Sequence, residues 1–143
     1  MITFAPLQRE MGHLTWLKTH VKCVICEDTK GIVALRDGVI VAMMIADSWT
    51  ENSCQVHNAV TDPLVFKHGL HVEFAEYVFG FAKRKMMLGL VPSNNEKAIK
   101  IDLHYGFQEI ARIPNAISDG VDYIVMQMTA DECPYYQEKA HAA

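Results

Sequence analysis

The first half of the chain alternates apolar runs with turn signals and predicts three antiparallel strands. Two runs rich in β-branched residues, 31–35 and 39–45, are joined by Arg36-Asp37-Gly38, and Asp-Gly is a strong tight-turn signal. A second polar turn, 47–52, leads into the run 54–60, whose side chains alternate between the two faces of a sheet. One face carries Cys54, Val56, Asn58 and Val60, and the other carries Ser53, Gln55, His57 and Ala59.

Helical spacing appears on both sides of these strands. Residues 7–21 carry apolar side chains at a helical interval and predict one or two short helices. An amphipathic helix is predicted over 70–85, and its apolar stripe is Leu70, Phe74, Tyr77, Val78 and Phe81. The remaining predicted elements are a strand at 86–91, a helix after Asn95, and strands at 108–113 and 121–128. Without a linker or repeat, this order predicts one mixed α/β domain over residues 1–143.

Composition and charge exclude several classes of function. The chain has 143 residues, of which 50% are hydrophobic and 21% charged, which suits one domain with a proper core. A formal net charge of -4 and the lack of a basic stripe argue against nucleic-acid binding. No apolar run approaches the ~20 residues that span a bilayer, and the first residues lack a secretory pattern. We therefore expect a cytoplasmic protein that binds neither nucleic acid nor membrane.

The four cysteines include one close pair, Cys23 and Cys26. A structural zinc site normally has a second pair at similar spacing, whereas Cys54 and Cys133 are isolated. A redox pair of the thioredoxin type would belong to a βαβ unit, and none precedes this pair. We expect reduced thiols packed as small apolar groups, and no metal site.

The segment 91–107 is the most informative part of the sequence. It predicts a strand, a helix capped by Asn94 or Asn95, and a left-handed exit at Gly106. The segment also resembles the pattern V-x-x-x-N-x-x-A-I-x-L-Y-x-x-x-G-F of the GNAT family of N-acetyltransferases. The positions in register are Asn95, Ala98, Ile99, Ile101, Gly106 and Phe107. The element order is likewise that of the GNAT fold, and the resemblance extends roughly from Gly31 to Met128.

The resemblance implies a mostly antiparallel central sheet with flanking helices and one splayed parallel pair of strands. In such a fold, the strands at 54–60 and 86–91 separate at their carboxyl ends, and the freed backbone holds the pantetheine arm of coenzyme A. The implied coenzyme contacts are the backbone of Asn58, Ala59 and Val60, together with Asn95. Acetyl-CoA is therefore the implied cosubstrate.

The loop before residue 70 is where GNAT relatives bind the pyrophosphate, with the pattern P-x-x-[QR]-x-x-G-x-[GA]. Pro63 and Gly69 match it, whereas Phe66 replaces Gln or Arg and His71 replaces a small residue. Helix starts favour anions in general. The implied pyrophosphate site comprises Phe66, Lys67, His68, Gly69, Leu70 and His71, with Lys67, His68 and His71 as sources of charge. The alternative is a solvated loop in which Gly69 eases the turn.

Acetyl transfer to an amine needs a base for the amine and an acid for the departing thiolate. His57 is the candidate base because it lies on the cleft strand and histidine titrates near neutral pH, and a hydrogen-bonded histidine on a sheet face is the equal alternative. Glu51 is a second candidate. Many relatives place a Tyr acid five residues before the Phe of the Gly-Phe pair, and Asp102 stands there in this chain. A carboxyl group could serve there only with a strongly raised pKa; Tyr105 could cover the role, although core packing also explains it.

The predicted activity is transfer of an acetyl group from acetyl-CoA to a primary amine by direct attack in a ternary complex. The acceptor would be a small molecule or a peptide, and Asp47, Trp49 and Glu51 could border its pocket. A narrower likeness, carried by Trp49-Thr50, His57 and Glu132-Cys133, is to GNAT-like proteins of tailed phages and prophages. The alternative is therefore a catalytically degenerate virion or host-interaction protein. A homodimer through residues 43–45 is also compatible with the pattern, although core burial explains these residues equally well.

Overall fold

A computed structural model describes residues 1–21 and 23–137. The strands are β1 (Ile2–Pro6), β2 (Lys30–Arg36), β3 (Val39–Asp47), β4 (Ser53–Val60), β5 (Met86–Pro92), β6 (Gln108–Ser118) and β7 (Val121–Thr129). The helices are α1 (Met11–His20), α2 (Leu64–Lys67), α3 (Leu70–Ala75), which a π-helical turn continues over Glu76–Phe81, and α4 (Glu96–His104). The strands form one mixed sheet in the order β1-β2-β3-β4-β5-β7-β6. Among the described residues, no helix is long and apolar enough to cross a membrane.

The predicted hairpin and its tight turn are confirmed. β2 and β3 pair antiparallel, and Asp37 and Gly38 have φ angles of 50° and 82°. Two successive left-handed residues are what a type I′ turn requires. The sequence pattern misses β1, which pairs antiparallel with β2 and forms an edge of the sheet. Five residues of mixed burial carry too little periodicity to predict a strand.

The sheet carries a separate core on each face. α1 covers one face, where Leu17 packs in a cluster with Met43 and Ile45, all three fully buried. α3 and α4 cover the other face, with Phe74 fully buried and Ile99 packed at the margin. Because Met43 and Ile45 are inside the first core, core packing explains the apolar character of residues 43–45.

The helical segment after β4 departs from the regular helix predicted for it. α3 ends at Ala75, and the chain continues as a π-helical turn to Phe81. A π turn widens the helical repeat, so the residues within it shift away from the predicted stripe. Phe79 becomes 3% exposed, whereas Phe81, predicted to be apolar core, is 81% exposed and stacks on Tyr77 at 6.0 Å. The predicted stripe is therefore wrong at Phe81.

The helix after Asn95 begins and ends as predicted. Asn95 Oδ1 accepts a hydrogen bond from the Ala98 amide at 3.2 Å and caps α4. Gly106 has a φ of 102°, and an added Cβ there would lie 2.9 Å from Pro134. Conformation and space both require glycine at this position. The exit at Gly106 sends the next residue, Phe107, into the core.

Candidate active site

β4 and β5 run side by side in parallel, but they pair over only three positions. Ser53, Cys54 and Gln55 are the partners of Met86, Met87 and Leu88. In the described chain no pairs join the two strands beyond these, although β4 stays paired with β3 to Val60 and β5 with β7 to Pro92. The strands therefore diverge toward their carboxyl ends, as predicted, and leave backbone groups of 56–60 and 89–92 beside a gap.

The side-chain alternation predicted for β4 is confirmed and divides the site into two sides. Asn58 borders a narrow cavity on the side of α3 and α4, and Val60 packs against the core on that side. Ala59 packs into the core beneath α1. His57 therefore lies on the α1 side, across the strand from Asn58.

On the α1 side, β3 and β4 bring a histidine and a carboxylate together. His57 Nε2 lies 3.1 Å from Asp47 Oδ2. Asp47 is 6% exposed, and its other oxygen accepts a hydrogen bond from the Ser48 hydroxyl at 3.1 Å. Because a carboxylate only accepts, Asp47 favours the neutral His57 tautomer with its proton on Nε2 and a lone pair on Nδ1. Nδ1 has no hydrogen-bond partner in the described part of the chain.

The turn after Asp47 is anchored on the loop that precedes β2. Trp49 Nε1 donates to the Asp28 carbonyl at 2.8 Å, and the Trp49 amide donates to the Asp28 carboxylate at 3.2 Å. The Arg84 guanidinium lies 5.2 Å from the centre of the indole ring. These contacts fix the turn that follows Asp47. Glu51, in the same turn, is exposed and makes no hydrogen bond or ion pair with the described residues.

On the opposite side of the gap, α3 and α4 border a cavity of about 20 Å³. Asn58 and Met87 line it from the two diverging strands, and Asp102 lines it from α4. An added Cβ at Gly89 of β5 would lie 3.9 Å from Asp102 Oδ2, so the carboxyl group reaches β5. Burial raises the pKa of Asp102 to about 6, because the charged form loses its hydration. This is the shift that the acid role requires.

Aromatic rings close the same cavity. Phe66 stacks on Tyr105 with ring centroids 4.7 Å apart, and His71 lies 4.8 Å from Tyr105 and 4.7 Å from Tyr135. Burial, and then the charge of His104, lower the pKa of His71. The lowered pKa makes His71 a weaker source of positive charge than an ordinary histidine. Its Nδ1 atom is buried without a hydrogen-bond partner among the described residues.

The other predicted coenzyme contacts lie near the carboxyl end of β4 or on α4. Gly69 has a φ of 90° and precedes α3. Lys67 and His68 are exposed, whereas the Leu70 side chain is fully buried, so only the Leu70 backbone can face a ligand. Asn95 is exposed and already caps α4.

The sequence analysis missed the roles of two residues, Tyr135 at the cavity and Asp47 beside His57. Tyr135 reaches the cavity from the segment after β7, where no periodic pattern gives a prediction; burial raises its pKa, and its hydroxyl donates to the Met128 sulfur at 3.6 Å. Asp47 was expected to border the acceptor pocket rather than to hold His57. The register could have shown this, because Ile45 faces His57 and Asp47 is two residues further along on the same face.

No family model matches the sequence, and no curated protein matches it. Solved structures do resemble it. Spermidine/spermine N-acetyltransferase SpeG from Vibrio cholerae, in complex with manganese ions, superposes with a TM-score of 0.73 at 13% identity, over 90% of this chain and 92% of that chain. A protein described as a member of the GNAT family, from Desulfovibrio desulfuricans, superposes with a TM-score of 0.73 at 11% identity, over 90% of this chain and 99% of that chain. A protein from Salmonella typhimurium with its cofactor acetyl-CoA superposes with a TM-score of 0.54 at 18% identity, over 80% of this chain and 68% of that chain.

The fold is that of the GNAT acetyltransferases. The predicted mixed α/β architecture with a splayed parallel pair is thus confirmed, while identities of 11% to 18% establish the GNAT fold alone. The manganese belongs to the SpeG structure; among the described residues of this chain, no three metal-ligating side chains form a group. None of these similar proteins is described as a virion component, so the comparisons lend the degenerate phage alternative no support.

Proposed function

We propose that the chain is an N-acetyltransferase that moves the acetyl group of acetyl-CoA to a primary amine by direct attack in a ternary complex. The observation that carries the proposal is the gap between β4 and β5, with the paired His57 on one side and the half-buried Asp102 on the other. Two similar structures, a spermidine/spermine N-acetyltransferase and an acetyl-CoA complex, support the same activity. The acceptor class is a small amine or a peptide amine, and the proposed enzyme acts in the cytoplasm without a metal.

The hydrogen-bonding groups around the gap are of the types that could bind the parts of coenzyme A. Acetyl-CoA supplies an activated thioester carbonyl. The backbone of 58–60 would pair with the amide-bearing pantetheine arm, Asn95 would touch the arm, and residues 66–71 would hold the pyrophosphate. His71 Nδ1 still has hydrogen-bonding capacity for an amide. A cavity of about 20 Å³ holds about one water, so the stacked Phe66 and Tyr105 rings must turn aside for the arm.

The two titratable groups have complementary roles. His57 Nδ1 takes the proton that the amine releases as its nitrogen bonds to the acetyl carbon, and Asp47 stabilises the resulting imidazolium. Asp102 gives its proton to the sulfur as the carbon–sulfur bond breaks. A pKa of about 6 leaves part of the Asp102 population protonated near neutral pH. Glu51 is the second base candidate because it lies in the turn next to Asp47.

Calorimetric titration of acetyl-CoA, with desulfo-coenzyme A and ATP as controls, tests the proposal. We expect saturable micromolar binding of acetyl-CoA and much weaker binding of ATP. A screen of small amines and peptides, followed by mass spectrometry for a mass increase of one acetyl group, would then identify the acceptor. Absence of binding at millimolar acetyl-CoA would overturn the proposal and favour the non-catalytic virion or host-interaction alternative.

A further inference from the structure

A second and larger cavity, of about 460 Å³, lies at the opposite end of the sheet from the gap. Its walls come from the end of β1 and the start of β2, and β2 begins at the same end of the sheet as β4, where β4 and β5 are still paired. No lining residue is shared with the narrow cavity beside Asp102. The volume is within the usual range for small-molecule sites. This cavity therefore needs an explanation separate from acetyl transfer.

One wall presents an arginine whose orientation is already fixed. Arg9 Nη2 donates to the carbonyls of Cys26, Glu27 and Thr29, at 2.8 Å for Glu27 and 3.3 Å for Thr29. In the described chain Arg9 forms no ion pair, and its Nη1 and Nε atoms have no protein partner. The remaining Nε and Nη1 atoms carry N–H donors, so the oriented guanidinium can give a charge-assisted hydrogen bond to a carboxylate oxygen.

The cavity also carries acidic and apolar groups. Glu73 lines it from α3, is exposed, and forms no ion pair with any described residue. Tyr77 lies one helical turn further along the same wall. Phe4 and Ile32 supply half-buried apolar surface from β1 and β2. Glu27 and Lys30 also line the cavity; both are exposed and form no ion pair with any described residue. The cavity thus offers charged groups of both signs around an apolar floor.

We propose that this cavity binds a free amino acid with a large apolar side chain. Its carboxylate pairs with Arg9, its ammonium group pairs with Glu73, and its side chain packs on Phe4 and Ile32. A ligand with both charges can pair with a cation and an anion of the lining at once, whereas an ion of one sign can pair only with lining groups of the opposite sign. The proposal does not depend on the acetyltransferase activity, because the cavity and the strand gap share no residue.

Calorimetry without acetyl-CoA, using L-phenylalanine as the probe, tests the proposal. We expect saturable binding of L-phenylalanine and at least tenfold weaker binding of 3-phenylpropionate, which lacks the amine, and of 2-phenylethylamine, which lacks the carboxylate. Arg9→Met and Glu73→Gln should each weaken L-phenylalanine binding at least tenfold. Lys100→Met, which removes an exposed charge on α4 far in sequence from the cavity, should leave it unchanged.

Three outcomes would overturn the proposal: no binding of L-phenylalanine at millimolar concentration, equal binding of 3-phenylpropionate, or full binding by Glu73→Gln. The Glu73 variant is decisive if Arg9→Met fails to fold, because Glu73 is exposed on a helix and holds no loop. His57→Ala separates this site from an acceptor site. Its binding of L-phenylalanine should equal that of the wild type, and a loss would place the amino acid at the strand gap instead.

Discussion

The two sides of β4 present their titratable groups in different ways. On the α1 side, the His57 side chain is 29% exposed and is held by a buried carboxylate. On the other side, Asp102 is half-buried, and its carboxyl group has no hydrogen-bond partner among the described residues. The first environment leaves a ring nitrogen free to accept a proton, and the second keeps a carboxyl group protonated to a higher pH. The two sides of β4 thus offer one candidate proton acceptor and one candidate proton donor.

The two sides also differ in how ready they are for a ligand. Asp47, Ser48 and the anchored Trp49 fix the histidine side before any ligand binds. The opposite side is closed by the stacked rings of Phe66 and Tyr105. Under the proposed function, ordering of the base would therefore cost little on acceptor binding, whereas entry of the coenzyme arm into this cavity would displace packed rings. We therefore expect substitutions in the aromatic cluster to change mainly coenzyme affinity, and substitutions of the two titratable residues to change mainly turnover.

The largest effect is expected from removal of the proposed base. His57→Ala should lower kcat roughly 10²–10³-fold while leaving acetyl-CoA affinity unchanged, because the imidazole acts on the amine proton. Steady-state kinetics with calorimetric binding would measure both quantities. Glu51→Ala is the matched test of the second base candidate and should retain the wild-type rate. An unchanged rate for His57→Ala would remove this residue from the mechanism, and a larger loss for Glu51→Ala would transfer the role to Glu51.

Asp102→Asn should lower kcat about 10²-fold, because an amide cannot give a proton to the leaving sulfur. The pH dependence gives a sharper test. Asp102 is protonated below its pKa of about 6, so its contribution as an acid declines as the pH rises through that value. The wild-type profile of kcat/KM should show this limb, and the variant profile should lack it. A variant that keeps the limb would show that another group, such as Tyr105, is the acid.

The same carboxyl group affects stability in a direction that is unusual for an aspartate. Its pKa is raised from 3.8 to about 6 in the folded protein, so the folded state binds the proton more tightly than the unfolded state. Stability is therefore lost as the pH rises from about 4 through about 6, and the loss persists above that range. The change in the free energy of unfolding caused by Asp102→Asn should therefore be more favourable at pH 8 than at pH 4, by up to about 3 kcal/mol. Urea unfolding of both proteins at the two pH values would measure the difference, and a pH-independent difference would contradict the raised pKa.

Local signals in the sequence predict most of the fold but only part of the site. The Asp37-Gly38 turn, the alternation in β4 and the Asn95 cap depend on neighbouring residues, and the structure confirms all three. The bond between His57 and Asp47 depends on strand register, and Tyr135 enters the cavity from a segment without periodicity. Tertiary packing decides such contacts, so sequence spacing alone could not assign them.

The buried carboxylate on the histidine side should have a moderate effect on turnover. Asp47→Asn replaces a charge-assisted hydrogen bond with a neutral one, and the loss of about 1.5 kcal/mol corresponds to about a tenfold fall in kcat. The variant should therefore fall between the wild type and His57→Ala. A double variant, Asp47→Asn with His57→Ala, should be no slower than His57→Ala alone if Asp47 acts only through the ring. An additional loss in the double variant would give Asp47 a separate role at the acceptor.

The smallest effect is expected from the rings that close the coenzyme side. Phe66→Ala removes the ring stacked on Tyr105 and widens a cavity of about 20 Å³. Acetyl-CoA should bind several-fold more tightly, because the arm no longer has to displace a packed ring. Phe81→Ala is the matched control, since its ring is 81% exposed and does not line this cavity. Weaker binding by Phe66→Ala, with Phe81→Ala unchanged, would mean that the Phe66 ring contacts the bound coenzyme and that the closed cluster is part of the binding surface.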